Sequence, residues 1–431
     1  MLYAHEPCKI VFINLQNTGF MNMKITLNWV WLIVISLMVE GRLLSQPLCG
    51  NPFEKYDIIV SGFHSSIAKK ADGGLVIWGQ GAAANGTSHL LSPVDLNNTN
   101  FPALTGTPKL FSIGSTGGVG ASTQQFVVLT TTGLFAWGGE GNILDAGLTS
   151  SNAMQALTIG GQSDGLPSGV NPSDVTMLYA TFGTLAIVTS SGSAYVISQN
   201  SQNRGNGGGG NSTTWYQVTS SAAGNPVLTN VTAVRGHGRN SGALMALTST
   251  GQLYTWGYDT YLGNGTAPSD RSRATAMTLP AGVAGTDIRY IGMTGSSAHF
   301  ILTTGGTLYA LGDNGERQLG DFTTTERRSW VIAKKPDGTN LTNCIYFSTQ
   351  EHDGWTGSYE TNSVNAIDSD YRLFAWGMNA GRMLGGPTDA VSQNPTIPNG
   401  FTPFTDIALY VETGGHTSVY IKDESTRYCY V

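Results

Sequence analysis

The sequence predicts an all-β protein of the propeller class, and three observations carry that prediction. Only 12% of the 431 residues are charged, whereas about 25% is usual in globular chains. Glycine is abundant, with 57 residues, and apolar residues make up 40% of the chain. A short motif ending in Trp-Gly also recurs at a nearly constant interval. This composition favours short strands and tight turns, because the outer faces of long helices need charged side chains.

The recurring motif is a strand that follows a glycine turn. It reads GGLVIWG at 73–79, GLFAWG at 133–138, GQLYTWG at 251–257 and YRLFAWG at 371–377, with weaker copies GSAYVIS at 192–198 and GTLYALG at 306–312. The marker residues before the final position are Trp78, Trp137, Ile197, Trp256, Leu311 and Trp376, which lie 59, 60, 59, 55 and 65 residues apart. A regular period of this length indicates stacked units that bury their apolar faces against their neighbours.

Each unit predicts four strands. A β-branched or aromatic strand comes first, as at 109–112 and 231–234, and a hairpin such as 126–137 follows it. A polar loop then leads to a last strand, as at 329–332. Four strands per unit form the blade of a propeller. A further copy of the motif starts at 425 and the sequence stops within it. We therefore expect about seven four-stranded blades, the last of them incomplete, in a truncated domain over 53–431.

The motif and the residues after it resemble the RCC1 repeat. The trailing half, x-Asn-x-x-Gly-x-Leu-Gly, is matched best by GDNGERQLG at 312–320 and also by WGYDTYLGNG at 256–265 and WGMNAGRMLG at 376–385. The resemblance covers about residues 53–431. It implies a rigid ring that presents loops to another protein, as do a nuclear GTPase exchange factor and a secreted bacterial inhibitor of β-lactamases in that family. It also implies that the repeat histidines form hydrogen bonds between blades.

The N-terminal segment 1–46 predicts an export signal. From Met21 or Met23 the chain has one lysine, then an apolar run over 29–39 and a short polar exit. This order is typical of a secretory signal peptide, with 1–20 as an upstream extension. The alternative is a membrane anchor, although a comfortable span needs about 20 apolar residues. We expect a secreted or cell-surface protein with no membrane span in the mature chain.

Charge and motif content exclude several functions. The net charge of −6 argues against nucleic-acid binding, which normally needs a basic face. No nucleophile elbow, metalloprotease motif or P-loop occurs, so neither an enzyme nor a cofactor is expected. Cys49, Cys344 and Cys429 have no short spacing, which predicts no metal site and leaves any disulfide pairing open.

Aromatic and arginine residues in or beside the loops are the candidate partner contacts, because Tyr, Trp and Arg anchor many protein interfaces. They are Trp215, Tyr216, Tyr258, Tyr261, Arg271, Arg327, Trp330 and Trp355, with Arg328 nearby. The predicted function is a secreted or surface-attached, non-catalytic scaffold that binds a partner protein on or outside the cell. A polysaccharide-binding or adhesion module is the alternative, and a propeller hydrolase is the least favoured.

Overall fold

The computed structural model describes residues 57–62, 64–70, 72–84, 89–115, 124–139, 153–237, 242–352, 362–379, 382–386, 388, 391–414 and 418–423. These ranges belong to the compact unit Cys49–Val431. The predicted leader over 1–46 lies outside the described residues, as do Cys49, Cys429, Trp355 and His416. Cys344 is a buried free thiol.

Six four-stranded antiparallel sheets form the blades, and each runs through its strands in chain order. Blade 1 comprises β1 (Ile59–Gly62), β2 (Ser65–Lys69), β3 (Leu75–Gly79) and β4 (Leu90–Asp95). Blade 2 comprises β5 (Pro108–Ser115), β6 (Gln124–Thr130), β7 (Gly133–Gly138) and β8 (Gln155–Ala156). Blade 3 comprises β9 (Val175–Thr181), β10 (Thr184–Thr189), β11 (Ala194–Ser198) and β12 (Tyr216–Gln217).

The other three blades repeat this order and a shorter sheet follows them. Blade 4 comprises β13 (Val231–His237), β14 (Ala243–Thr248), β15 (Leu253–Thr260) and β16 (Ser269–Ala276). Blade 5 comprises β17 (Ile288–Thr294), β18 (Ala298–Thr303), β19 (Leu308–Gly312) and β20 (Arg327–Ile332). Blade 6 comprises β21 (Cys344–Thr349), β22 (Ser363–Asp368), β23 (Leu373–Met378) and β24 (Ser392–Thr396). The last sheet has two strands, β25 (Ile407–Thr413) and β26 (Ser418–Asp423).

The blades form a closed ring. The first strand of each sheet lies next to the first strand of the following sheet, and β25 lies between β21 and β1. The Glu412 carboxylate on β25 accepts a hydrogen bond from the Ser61 amide on β1 at 3.2 Å. The Tyr410 hydroxyl lies 3.4 Å from the Ile59 carbonyl oxygen, to which it donates. The chain is therefore all-β with four-stranded blades, as the repeat predicts.

The second strands of blades 2 to 6 are buried from end to end. Strands β6, β10, β14, β18 and β22 have no exposed residue, because neighbouring sheets cover both of their faces. The turns into the next strand contain the motif glycine, for example Gly251 with φ +80° and Gly306 with φ +87°. Only glycine adopts this backbone region without a steric penalty. The described helices are single 3-10 turns at Gln202–Arg204, Gly285–Asp287 and Gly295–Ser297, and no helix in these ranges is long and apolar enough to cross a membrane.

The first strands share an irregularity near their beginning. In six of the seven sheets their pairing with the second strand shifts by one residue, at Lys109, Thr176, Thr232, Arg289, Ile345 and Leu409. One extra residue in a strand is a β-bulge, which bends the strand and increases its twist. A bulge at the same place in six sheets gives their innermost strands a common course along the ring axis.

The repeat tryptophans join consecutive blades. Trp256 in blade 4 donates its indole N–H to the Asn203 carbonyl of blade 3 at 2.7 Å. Trp376 in blade 6 makes the same bond to the Gln318 carbonyl of blade 5 at 2.8 Å. Both side chains are fully buried. Trp256 and Trp376 therefore each combine a large apolar contact with a polar bond to the loop of the blade before it.

The repeat asparagine holds the loop that supplies this carbonyl. Asn314 Oδ1 accepts the Leu319 amide at 3.0 Å, and Asn314 Nδ2 donates to the Thr323 carbonyl at 3.1 Å. Asn379 makes the same two bonds at the same sequence separations, to the Leu384 amide at 2.9 Å and the Thr388 carbonyl at 2.7 Å. The trailing half of the repeat is therefore a loop whose shape is set by one side chain.

Candidate functional site

The first candidate site is a buried polar cluster where the innermost strands converge. Its charged and titratable members are Asp57, Arg235, Glu351, His352 and Glu412, from four different sheets. They line a cavity of about 30 Å³ together with Tyr290 and Tyr346. That volume holds about one or two water molecules.

Arg235 is the cation of this axial cluster. Its side chain is only 3% exposed, and Nη2 contacts both carboxylate oxygens of Asp57, at 2.9 and 3.0 Å. Its Nε lies 3.5 Å from Glu351 Oε2. The guanidinium also lies over the Tyr179 ring, 5.1 Å from the centroid. Charge-assisted and cation–π contacts of this kind offset the desolvation of a buried arginine.

Glu351 and His352 reach from blade 6 to blade 3. They follow the end of β21, and the Glu351 carbonyl accepts a hydrogen bond from the Thr181 hydroxyl on β9. His352 Nδ1 lies 2.7 Å from the Ala180 carbonyl oxygen. Since a carbonyl only accepts, this contact places a proton on Nδ1. The segment thus connects two blades that are not neighbours in the ring.

The two glutamates of the cluster have perturbed acidities. Glu351 accepts bonds from the Met293 amide at 3.1 Å and the Thr349 hydroxyl at 2.7 Å, yet burial raises its pKa to about 7. Burial also raises the pKa of Glu412 well above its ordinary value. Desolvation lowers the pKa of the His352 imidazole, whose Nε2 lies 3.8 Å from Glu412 Oε1. Desolvation disfavours the charged form of each group, so both carboxyls retain protons to unusually high pH.

The second candidate site is one face of the ring, here named the loop face. In an antiparallel four-stranded blade, the first and third connections lie at the same end. The loop face is therefore built from the links between first and second strands and those between third and fourth strands. The longer links between third and fourth strands include 199–215, 261–268 and 313–326. The loop face consequently carries most of the irregular backbone.

Five of the predicted partner contacts lie in blades 4 and 5, at or near this face. Tyr258 is half-buried and Tyr261 is buried. Arg271 donates to the Thr260 carbonyl at 2.6 Å, and Arg327 pairs with Asp321 at 2.7 Å. The fifth contact is Trp330. Residues 256–272 and 311–328 carry six carboxylates and four arginines. This part of the loop face is therefore acidic and mixed in charge.

Trp330 and Trp215 make bonds inside the protein. Trp330 donates its indole N–H to the Thr278 carbonyl of blade 4 at 2.7 Å. Trp215 donates to the Gly165 carbonyl, between blades 2 and 3, at 2.9 Å. Their blades are those with Ile197 and Leu311 at the marker position. A tryptophan near or on the outermost strand therefore supplies the polar contact that the missing repeat tryptophan cannot make.

The remaining predicted contacts and the histidines are placed as follows. Tyr216 is half-buried, and its hydroxyl accepts the Asn211 amide at 2.6 Å. Buried His299 on β18 bonds to the Thr255 hydroxyl of blade 4 at 3.1 Å. Buried His237 of blade 4 accepts the Ser297 amide of blade 5 at 3.2 Å through Nε2. The expectation that repeat histidines bond between blades is thus confirmed for this pair.

Comparison with known proteins places the fold. No protein-family model matches the chain. The protein pim1 of Schizosaccharomyces pombe is 30% identical over 152 residues, which is 35% of this chain and 26% of pim1. The match thus spans about a quarter of pim1. Human WBSCR16 has a TM-score of 0.58 at 15% identity, over 84% of this chain and 86% of that protein.

Yeast RCC1 (Prp20), solved bound to Kap60, has a TM-score of 0.58 at 17% identity, over 86% of this chain and 82% of Prp20. The chain has the fold of an RCC1-like β-propeller. A second structure of Prp20p from Saccharomyces cerevisiae, described with its binding to Gsp1p and histones, has a TM-score of 0.57. At these identities the likeness establishes the fold of the RCC1-like propeller, and its function depends on its own surfaces.

The axial cluster was missed by sequence reasoning, although the sequence carried a signal. Arg235 and Glu412 are charged residues inside strands that are otherwise apolar or small, VTAVRGH and IALYVET. A charge in an inner strand of a propeller has no solvent-facing side to occupy, because both sheet faces are covered. The partner carboxylates come from residues 57 and 351, which no local pattern connects to either strand.

Proposed function

We propose that this RCC1-like propeller is a non-catalytic scaffold that binds a partner protein through the loop face of blades 4 and 5. The observation that supports it is the convergence there of five side chains of the types that anchor interfaces. Tyr258 and Arg328 are the most available, because Tyr258 is half-buried and Arg328 is exposed. Within the described residues, Arg328 forms an ion pair with half-buried Glu326 at 2.5 Å.

The proposed setting is the cell exterior. The supporting feature is the segment 21–46, whose lysine, apolar run and polar exit are typical of a secretory leader. We also infer that β25 and β26 are the inner half of a seventh blade, because β25 occupies the position of a first strand between β21 and β1. Cell fractionation of the full chain, with and without residues 21–46, tests the setting. Retention of both forms inside the cell would contradict it.

Binding is tested with matched variants on the two faces of the ring. The full chain is immobilised and exposed to secreted and surface proteins of its source and, in parallel, to a polysaccharide panel. We expect a saturable protein partner whose affinity falls at least tenfold in a Tyr258→Ala, Arg328→Ala double variant. Asp337→Lys, on a turn of the opposite face, is the control and should bind as the wild type does.

Three outcomes would overturn this proposal. Equal loss of binding in the Asp337→Lys control would place the interface elsewhere. Retention by polysaccharide alone would favour the glycan-binding alternative. Turnover of any bound polymer by the purified chain would contradict the non-catalytic role.

A further inference from the structure

The axial cluster holds more acid than base, and all of its charged groups except the partly exposed Asp57 are buried. Asp57, Glu351 and Glu412 are three carboxyl groups, and Arg235 is the cation that pairs with two of them. If all three were ionised and His352 were neutral, the cluster would carry two uncompensated negative charges. Buried charges without partners are strongly unfavourable. The cluster reaches neutrality when two of its carboxyls hold protons.

The segment 350–352 extends the cluster beyond the end of β21, and its first residue, Gln350, is anchored to Ser363 of β22 by bonds of 3.0 and 3.3 Å. It follows the last residue of β21, Thr349, and its contacts with blade 3 are the Thr181 hydroxyl bond and the His352–Ala180 bond. Inside the cluster, Glu351 is held by Arg235 at 3.5 Å and by the Met293 amide at 3.1 Å. Beyond the anchored Gln350, Glu351 and His352 are held by a few polar bonds rather than a strand ladder, so the free energy needed to release them is small compared with that of global unfolding.

We propose that residues 350–352 form a proton-operated strut across the ring axis, which bridges blades 6 and 3 while the axial carboxyls are protonated and is released when they ionise. Protonation of Glu351 removes the cost of keeping a carboxylate out of water, to which repulsion by Asp57 adds and which Arg235 offsets only in part, and ionisation restores that cost. Release would open the centre of the loop face and expose buried Arg235 to solvent. The ring itself stays closed, because the contacts between first strands do not depend on this segment.

The direction of the pH dependence follows from the groups that face Glu351 from each element packed against it. These are Arg235, Asp57, Glu412, His352, Tyr179, Tyr290, Tyr346 and Tyr410. Glu351 has a pKa of about 7 in the bridged state and about 4.3 when exposed. It therefore favours the bridge below pH 4.5, and this preference is lost as the pH rises to 7. Glu412 acts in the same direction, and the single imidazole of His352 opposes them.

Hydrogen exchange of the full chain tests the strut. The reporter is the Met293 amide, which donates directly to Glu351. Its exchange rate is measured in a peptide covering 288–294 and is corrected for the intrinsic pH dependence of exchange. Opening should become about tenfold more favourable per pH unit for each proton released. We expect protection in the wild type to be at least tenfold higher at pH 5.5 than at pH 7.5.

Three variants distinguish the effect of protonating Glu351 from the effect of the bonds that bridge blades 6 and 3. Glu351→Gln should reduce the ratio between the two pH values by at least tenfold. Thr181→Val removes a bridging bond without changing charge, so it should lower protection at both pH values and leave the ratio unchanged. Asp337→Asn, a carboxyl on an exposed turn, is the control and should match the wild type.

The proposal is overturned by a wild-type ratio near one, or by a Glu351→Gln ratio equal to that of the wild type. Should Glu351→Gln not fold, infrared spectroscopy of the wild type decides the matter. A protonated buried carboxyl band that is lost between pH 5.5 and 7.5 supports the strut, and its absence at pH 5.5 overturns it.

Discussion

Replacing Trp376 with phenylalanine tests how the blades are joined. The indole N–H bonds to the Gln318 carbonyl at 2.8 Å, and both residues are fully buried. Phenylalanine keeps most of the apolar contact but cannot donate, so the carbonyl is left without this partner where water does not reach it.

The expected loss of stability has two parts. A buried polar group without its partner costs about 1–3 kcal/mol. The smaller ring also leaves a cavity, for which about 1 kcal/mol is reasonable since complete truncation of a buried tryptophan costs about 3–5 kcal/mol. The sum for Trp376→Phe is about 2–4 kcal/mol. Guanidinium unfolding followed by far-ultraviolet circular dichroism measures it, with the transition fitted in steps if the blades unfold separately.

Trp330→Phe is the matched comparison. Its indole makes a bond of the same kind, 2.7 Å to the Thr278 carbonyl, but the side chain is only half-buried. Water can replace a donor at a partly exposed carbonyl, so we expect a loss of about 1 kcal/mol. A Trp376→Phe protein within about 0.5 kcal/mol of the wild type, or one less affected than Trp330→Phe, would refute the reasoning.

Three further predictions follow from the same structure. A Cβ on Gly320 (φ +66°) would lie 2.8 Å from the Trp376 indole nitrogen, whereas one on Gly338 (φ +82°) would meet nothing within 4 Å. Gly320→Ala should therefore lower the unfolding free energy by at least about 1 kcal/mol more than Gly338→Ala, which carries only the strain of its backbone; equal losses in denaturant titrations would contradict this. Burial raises the pKa of the Cys344 thiol, so thiol reagents should modify the native chain at Cys344 far more slowly than the denatured chain; equal labelling rates by mass spectrometry would count against it. Glu351 binds its proton more tightly in the folded state than in the unfolded state. Its stabilising contribution to the free energy of unfolding is therefore lost as the pH rises from about 4.5 to about 7. Over that range the thermal midpoint of Glu351→Gln should rise relative to the wild type, and a constant difference would argue against the assignment.

The regular copies of the repeat made the fold predictable, whereas strands in its degenerate copies could not be predicted. First strands expected at 109–112 and 231–234 occur at Pro108–Ser115 and Val231–His237. Their apolar and β-branched residues identify them locally. Strand β9 escaped notice because the repeat is degenerate in blade 3, and the two-residue strand β8 carries too few residues for a pattern.

The sites were less predictable because their contacts join residues far apart in the sequence. Aromatic and arginine residues in loops were identifiable by type, but Trp215 and Trp330 could not be recognised as links between blades. That role depends on carbonyls 50 and 52 residues away. In the axial cluster, the closest ion pair joins Arg235 and Asp57, which are 178 positions apart along the chain. Only the closed ring brings such residues together.

The two partners of each tryptophan hydrogen bond are synthesised in a fixed order. In each pair the carbonyl lies earlier in the sequence than the indole, so the ribosome delivers the acceptor before the donor. We expect each blade to be fastened onto one that has already emerged, with the β25–β1 contact formed last. Arrested nascent chains ending before and after Trp256, compared by protease resistance of blade 3, would show resistance rising only when Trp256 has left the ribosomal tunnel. Assembly of the ring would then proceed in the same order as synthesis, and the newest blade would always be the one that protects its predecessor.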